Sequence, residues 1–236
     1  MLKVRAANDR GVARFDWLDS RHSFSFGHYY DPQQMGFGVL RVINEDKISP
    51  GKGFGMHSHQ DMEIITYILQ GALEHQDSLG NRSIIRAGDV QRMTAGTGIR
   101  HSEFNASTQD TVHLLQIWIV PDTAGLPPGY EEIHLDFKGE NDPPLRLIAS
   151  RQGQARGVTI HQDVNLYVAR LHPDQEVTYP LGSERSLWLQ VAQGSFELND
   201  RPLTTGDGVG ITELAEITLR GVSTGAEALL FDLPKL

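Results

Sequence analysis

The sequence contains no cysteine, and that absence removes disulfides, thiolate metal ligands and thiol catalysis together. Any metal ion must be held by imidazole and carboxylate groups. Basic residues are also in short supply: 21 Lys and Arg stand against 30 Asp and Glu, for a formal charge of −9. Sequence-independent nucleic-acid binding depends on cations that neutralise phosphates, so no direct nucleic-acid partner is expected. Long apolar runs are missing too. The longest, such as residues 114–120, are far too short to span a bilayer, and the opening stretch MLKVRAANDRG lacks the apolar segment of a secretory signal. The expectation is a soluble, cytoplasmic protein with no membrane partner. The last absence is of long, capped apolar repeats at helical spacing.

What is there points to strands. Hydrophobic residues make up 39% of the chain, enough for a core, and 24 glycines and 11 prolines are spread along it, as turns between many short strands require. Residues 37–42, 63–69, 73–76, 113–120, 167–171, 186–191, 196–198 and 228–233 are short, rich in large apolar residues and bounded by turn formers. A short helical turn is expected near residues 16–21. One pattern occurs twice: Gln70-Gly71-Ala72-Leu73-Glu74 followed by Ala87-Gly88-Asp89, and Gln193-Gly194-Ser195-Phe196-Glu197 followed by Thr205-Gly206-Asp207. A repeated strand, turn and hairpin implies a duplicated unit. Residues 121–144, with five prolines or glycines before Tyr130 and a polar run over 139–144, form the linker candidate. The chain therefore reads as two related β-barrels in tandem, over residues 1–135 and 136–236.

Successive side chains of a strand point to opposite faces, so residues two apart share one. His57-Ser58-His59 and His101-Ser102-Glu103 both have that spacing. A single such pair is common by chance. Two pairs together supply three imidazole nitrogens and one carboxylate oxygen, a donor set for Fe, Mn, Co, Ni, Cu or Zn that is too nitrogen-rich for calcium or magnesium. Gly51, Gly53 and Gly55 precede the first pair, and Gly96 and Gly98 precede the second, where they let the backbone turn sharply and bring His101 back toward a barrel mouth. His161 and His172 have no such partner and are read as surface or hydrogen-bonded side chains, which leaves the C-terminal barrel without metal ligands. His22, His28, His75 and His113 are likewise read as structural. Four protein ligands leave one or two positions on the ion for water, dioxygen or a chelating substrate.

The order Gly51-x5-His57-x-His59-x3-Glu63-x7-Gly71 resembles the first cupin motif, and Gly88-x7-Gly96-x4-His101-x3-Asn105 the second, with Thr94 where a proline is usual. The phrases GKGFGMHSHQDMEIITYILQG and RMTAGTGIRHSEFN are similar to those of the pirin family, as are WLDSRHSFSFGHYYDP, FGVLRVINED and LLQIWIVP. The resemblance is dense over the first half and rests on the repeat in the second. It implies an all-β bicupin, two tandem double-stranded β-helix (jelly-roll) barrels. In most cupins the carboxylate ligand is a glutamate soon after the first histidine pair, here Glu63. In pirins it lies two residues after the last histidine, matching Glu103. Glu103 is preferred because its spacing brings it beside His101. Glu63 then hydrogen-bonds a ligand imidazole or a backbone amide.

The resemblance also implies an activity. Pirin-like proteins of bacteria include quercetin 2,3-dioxygenases, which open the heterocyclic ring of flavonols with O2 and release carbon monoxide. It implies Fe(II) as the resting metal, a flavonol or other small aromatic molecule as substrate, and Glu103 as both ligand and catalytic base. Phe54, Met56, Met93 and Phe104 adjoin the ligands in sequence and are the candidate pocket walls. Other members resemble metal-bearing regulators that bind a transcription factor or a metabolic enzyme, which makes a protein partner the alternative. A monomer is expected, since the tandem repeat already supplies two barrels.

Overall fold

The computed structural model describes residues 1–137, 142–151, 153 and 157–235. Among them, one 3-10 turn at Ala7–Asp9 interrupts an otherwise all-β chain, and no helix is long and apolar enough to cross a membrane. The strands begin with β1 (Leu2–Arg5), β2 (Gly11–Phe15), β3 (Leu18–His22), β4 (Leu40–Ile48), β5 (Gly53–His59), β6 (Glu63–Gln70) and β7 (Ala72–Asp77). They continue with β8 (Arg82–Arg86), β9 (Asp89–Thr94), β10 (Ile99–Asn105), β11 (Val112–Ile119), β12 (Gly129–His134), β13 (Leu145–Ser150), β14 (Val158–Thr159) and β15 (Asn165–Leu171). The rest are β16 (Glu176–Pro180), β17 (Arg185–Gln193), β18 (Ser195–Leu198), β19 (Arg201–Thr204), β20 (Gly208–Ile211), β21 (Glu216–Gly221) and β22 (Ala226–Pro234).

These strands form two compact units. The first comprises Gly11–Asp136 and Val158–Gln162; the second comprises Met1–Arg10, Phe137–Gly157 and Asp163–Leu236. In the first, a sheet ordered β12-β9-β6-β11-β4-β3-β2 accompanies a sheet ordered β5-β10-β7-β8. In the second, the orders are β1-β20-β17-β22-β15-β13 and β16-β21-β18-β19. The plans match over six strands of the larger sheet and all four of the smaller. The repeated turns match as well: Gly71 and Gly194 have φ of +81° and +74°, and Gly88 and Gly206 both have +90°, a region that an L side chain enters only at a cost.

Three stretches differ from expectation. Residues 16–21 are not helical: Asp16 and Trp17 form the tight turn of a hairpin in which Phe15 faces Leu18, and β3 follows. The inward positions of β3 are Leu18, Ser20 and His22, so no apolar alternation marks it. The strand expected from residue 37 begins at Leu40, after a small bridge between Phe37 and Leu40. The proline-rich stretch after residue 120 contains β12, whose Gly129–His134 pairs along β9. Residues 139–141, within the polar run expected there, lie outside the described residues.

Candidate metal centre

The first histidine pair lies on β5 and the second pair of donors on β10, which run antiparallel with His57 directly opposite His101 and Ile99 opposite His59. The register shifts between His101 and Glu103, and Glu103 then faces Phe54. Such an irregularity re-aims a side chain without ending the ladder. Gly53 allows the close approach, because a Cβ there would collide with the Glu103 carbonyl oxygen. Gly96, at φ +48°, turns the chain before β10, and Gly98 follows at +137°.

A ring nitrogen from each of His57, His59 and His101 lies within 4.8 Å of the others, and the ring centroids are 4.4 to 4.9 Å apart. The His57 ring approaches the Gly55 carbonyl through Nδ1 at 2.8 Å, which leaves Nε2 for the cluster. His101 is 1% exposed, and neither of its ring nitrogens has a hydrogen-bond partner. Burial pushes the His101 imidazole down to about 3, with His57 and His75 adding to the effect. Burial, then His101 and His57, push His59 down to about 4. Both rings are therefore neutral at pH 7, the form that binds metal. Three imidazoles, two of them held neutral by burial and one of those with both nitrogens unsatisfied, fit a divalent transition metal. The histidine cluster is a candidate metal site.

Glu103 is buried beside this cluster. Its Oε2 accepts a hydrogen bond of 2.7 Å from Gln116 Nε2, and its Oε1 one of 3.4 Å from Thr66 Oγ1. Glu103 and His101 also form a group with His75 in which donor atoms lie within 4.8 Å of one another. His75 is fully buried, 3.2 Å from Asp77 through Nε2, and its ring centroid is 5.4 Å from that of His101. Glu63 is engaged elsewhere. Its carboxylate accepts hydrogen bonds from Thr94 at 3.2 Å and from His161 Nδ1 at 3.2 Å, and it lies 3.9 Å from Arg92 Nε. Burial raises its pKa, while Arg92, Thr94 and His161 pull the other way.

A cavity of about 790 Å³ opens on His57, His59 and Glu103. Of the expected walls only Phe54 lines it. Met56 and Phe104 are substantially exposed, as their one-residue offset from the inward donors dictates, and Met93 packs in the core against Ile64, Ala95 and Ile99. The aromatic walls are instead Phe15, Trp17, Phe26, Tyr29, Phe54 and Trp118. Trp118 lies edge-on to His59 with centroids 4.9 Å apart. Parity signals Trp118, two residues from Gln116 on β11; Phe54 lies on β5, and the others come from a hairpin and loop without a periodic signal. Of the four histidines read as structural, His22 and His28 also line the cavity, His75 lies behind His101, and His113 pairs with Glu45 at 2.9 Å.

Residues 3–119 match the family model described as Pirin, and residues 147–233 match that described as Quercetinase C-terminal cupin domain. The chain is 46% identical over 235 residues to quercetin 2,3-dioxygenase of Escherichia coli K12, covering 99% of each. It is 42% identical over 232 residues to a pirin-like protein of Caulobacter vibrioides, covering 98% of this chain and 99% of the other. Its fold superposes with a TM-score of 0.94, at 44% identity and with both chains fully covered, on the crystal structure of the bacterial pirin YhhW from Escherichia coli in complex with nickel(II). With its histidine cluster on the first of two cupin barrels and relatives matched along nearly its whole length, the chain belongs to the pirin family.

Proposed function

We propose that the protein is a metal-dependent dioxygenase that opens the heterocyclic ring of flavonols such as quercetin with O2 and releases carbon monoxide. In this reading His57, His59, His101 and Glu103 hold one Fe(II) ion, the first barrel carries all the metal chemistry, and the chain acts as a monomer. The observation that carries it is the cluster of three imidazoles, two of whose histidines line an aromatic-walled cavity together with the buried Glu103. The quercetin 2,3-dioxygenase relative, 46% identical over its length, supports the same substrate class. Glu103 is favoured over Glu63 because Glu63 is already occupied by Arg92, Thr94 and His161.

A bound ion in this site supplies Lewis acidity toward the 3-hydroxyl and 4-keto oxygens of a flavonol, as metals do toward bound water. The chain supplies the rest. Glu103, held by Gln116 and Thr66, accepts the proton of the 3-hydroxyl. Trp17, Phe54 and Trp118 pack on the flat rings and keep water from them. Metal-loaded protein given quercetin in aerated buffer is expected to consume O2 and release carbon monoxide; inert metal-loaded protein would overturn the reading. Glu103→Ala should lose the metal and Glu63→Gln should keep it, as metal analysis of the purified variants would show.

A further inference from the structure

Strands β3, β4 and β11 lie side by side under the cavity. Their register sets His22 opposite Asn44 and Asn44 opposite Gln116, with Ser20 opposite Asp46 in the next row. All five side chains line the cavity. Neighbouring strands are about 4.8 Å apart, so the row runs roughly 10 Å from Gln116, which holds Glu103, to His22. In the second unit, counted from the shared Gln-Gly turns, Leu145 and Ala169 hold the places of Ser20 and Asp46, and Leu230 and Tyr167 those of Gln116 and Asn44; all four belong to an apolar core or pack against it. A barrel of this plan therefore closes well with apolar residues at these places.

The polar row is also incompletely satisfied. Asn44 and Asp46 are each 2% exposed, and Oδ1 of each has no hydrogen-bond partner. Buried acceptors left in that state are costly, and the missing partner is a donor. The chemistry of the cavity narrows what can bring one. Its walls are aromatic, which suits a flat apolar ring face. Asp46 and Glu103 disfavour an anion. A hydroxyl at the edge of an aromatic ring satisfies both conditions.

We infer that Asn44 and Asp46, within the row from Gln116 to His22, form a binding subsite for phenolic hydroxyls of a planar aromatic ligand, on rings remote from the oxygens that face the histidine cluster. The inference rests on the reading of the cavity as a flavonol site and adds what that site selects: flavonols hydroxylated on the outer rings.

The test is anaerobic equilibrium binding of two ligands to the metal-loaded protein, quercetin and a flavonol bearing only the 3-hydroxyl, with wild type, Asn44→Leu and Asp46→Asn. A site built to hydrogen-bond a hydroxyl discriminates against the ligand lacking it. Wild type should bind quercetin at least about tenfold more tightly than the unsubstituted flavonol. Each variant should narrow that ratio with metal content retained, and the isosteric Asp46→Asn guards against a folding defect in the other. Equal binding by wild type, or variants that weaken both ligands alike, would overturn the subsite. Preferential binding without O2 consumption would sink the dioxygenase reading and leave the subsite standing; turnover without hydroxyl preference would do the reverse. Failure of wild type to bind either ligand would remove both.

Discussion

In the first barrel β5 meets β10 with His57 opposite His101; in the second, the strands holding the same places in the sheet order, β16 and β21, meet with Val177 opposite Leu219 and Tyr179 opposite Ile217. Ile217 and Leu219 are buried in a cluster with Phe196, Leu198 and Leu230, and Val177 and Tyr179 pack against it. One backbone plan thus has two kinds of interior. Apolar side chains at these positions contribute burial and packing, whereas buried imidazoles and carboxylates contribute little to stability without partners. The second barrel shows the same plan closed with apolar side chains at these positions. The first retains polar groups where packing alone would not place them, and those groups surround the cavity.

The strongest way to break this contrast is to remove the first histidine pair. His57→Ala with His59→Ala should lower the metal-to-protein ratio more than about tenfold, since two of the proposed donors vanish, while His172→Ala in the second barrel leaves it unchanged. Metal analysis by mass spectrometry checks both, and metal retained by the double variant would place a site elsewhere. Leu219→Ala probes the other side. Truncating a buried leucine costs about 2–5 kcal/mol, so its denaturation midpoint should fall clearly. In metal-free protein His101→Ala should cost less, because it removes an unsatisfied polar group along with its contacts. Equal losses in the two variants would erase the distinction between the interiors.

A smaller effect follows from Asp46. Burial raises its pKa from 3.8 to about 7, with Glu103 and Glu45 adding and a hydrogen bond with Ser20 opposing. Between those values the folded chain holds a proton that the unfolded chain has lost, so stability falls as pH rises through that window. Asp46→Asn cannot ionise. Its melting temperature should match wild type near pH 4 and exceed it by a few degrees at pH 7 to 8. A pH-independent difference would show that Asp46 does not titrate in this window.

The candidate donors were legible because strand geometry forces an i, i+2 spacing, and four ligating residues in two such pairs stand out against a strand background. The second set of barrel strands was legible from the repeat, whose glycines carry the same positive φ in both copies. The cavity was not. Its floor replaces apolar residues with Ser20, His22, Asn44 and Asp46, which hides the alternation by which β3 is recognised, and four of its six aromatic walls, Phe15, Trp17, Phe26 and Tyr29, come from a hairpin and a loop. Met56 and Phe104, chosen for closeness in sequence, point outward for the same reason that His57 and Glu103 point inward. His161 reaches Glu63 from 98 residues away, and nothing in its neighbourhood in the sequence signals that.

The first unit takes in Val158–Gln162 from beyond the midpoint of the chain, and the second takes in Met1–Arg10 from its start. Strand β1 pairs with β20, Val4 against Val209, so its partner emerges from the ribosome about 200 residues later. At roughly 5–20 residues per second, β1 waits on the order of 10–40 seconds for that edge to exist. Neither barrel can be completed by folding one half of the chain as it appears. Separating the halves by a single cut leaves β20 with an open edge, the kind of surface that pairs with other chains. Circular permutants that place residues 1–10 after residue 236 would make β1 the last strand to leave the ribosome and remove that delay.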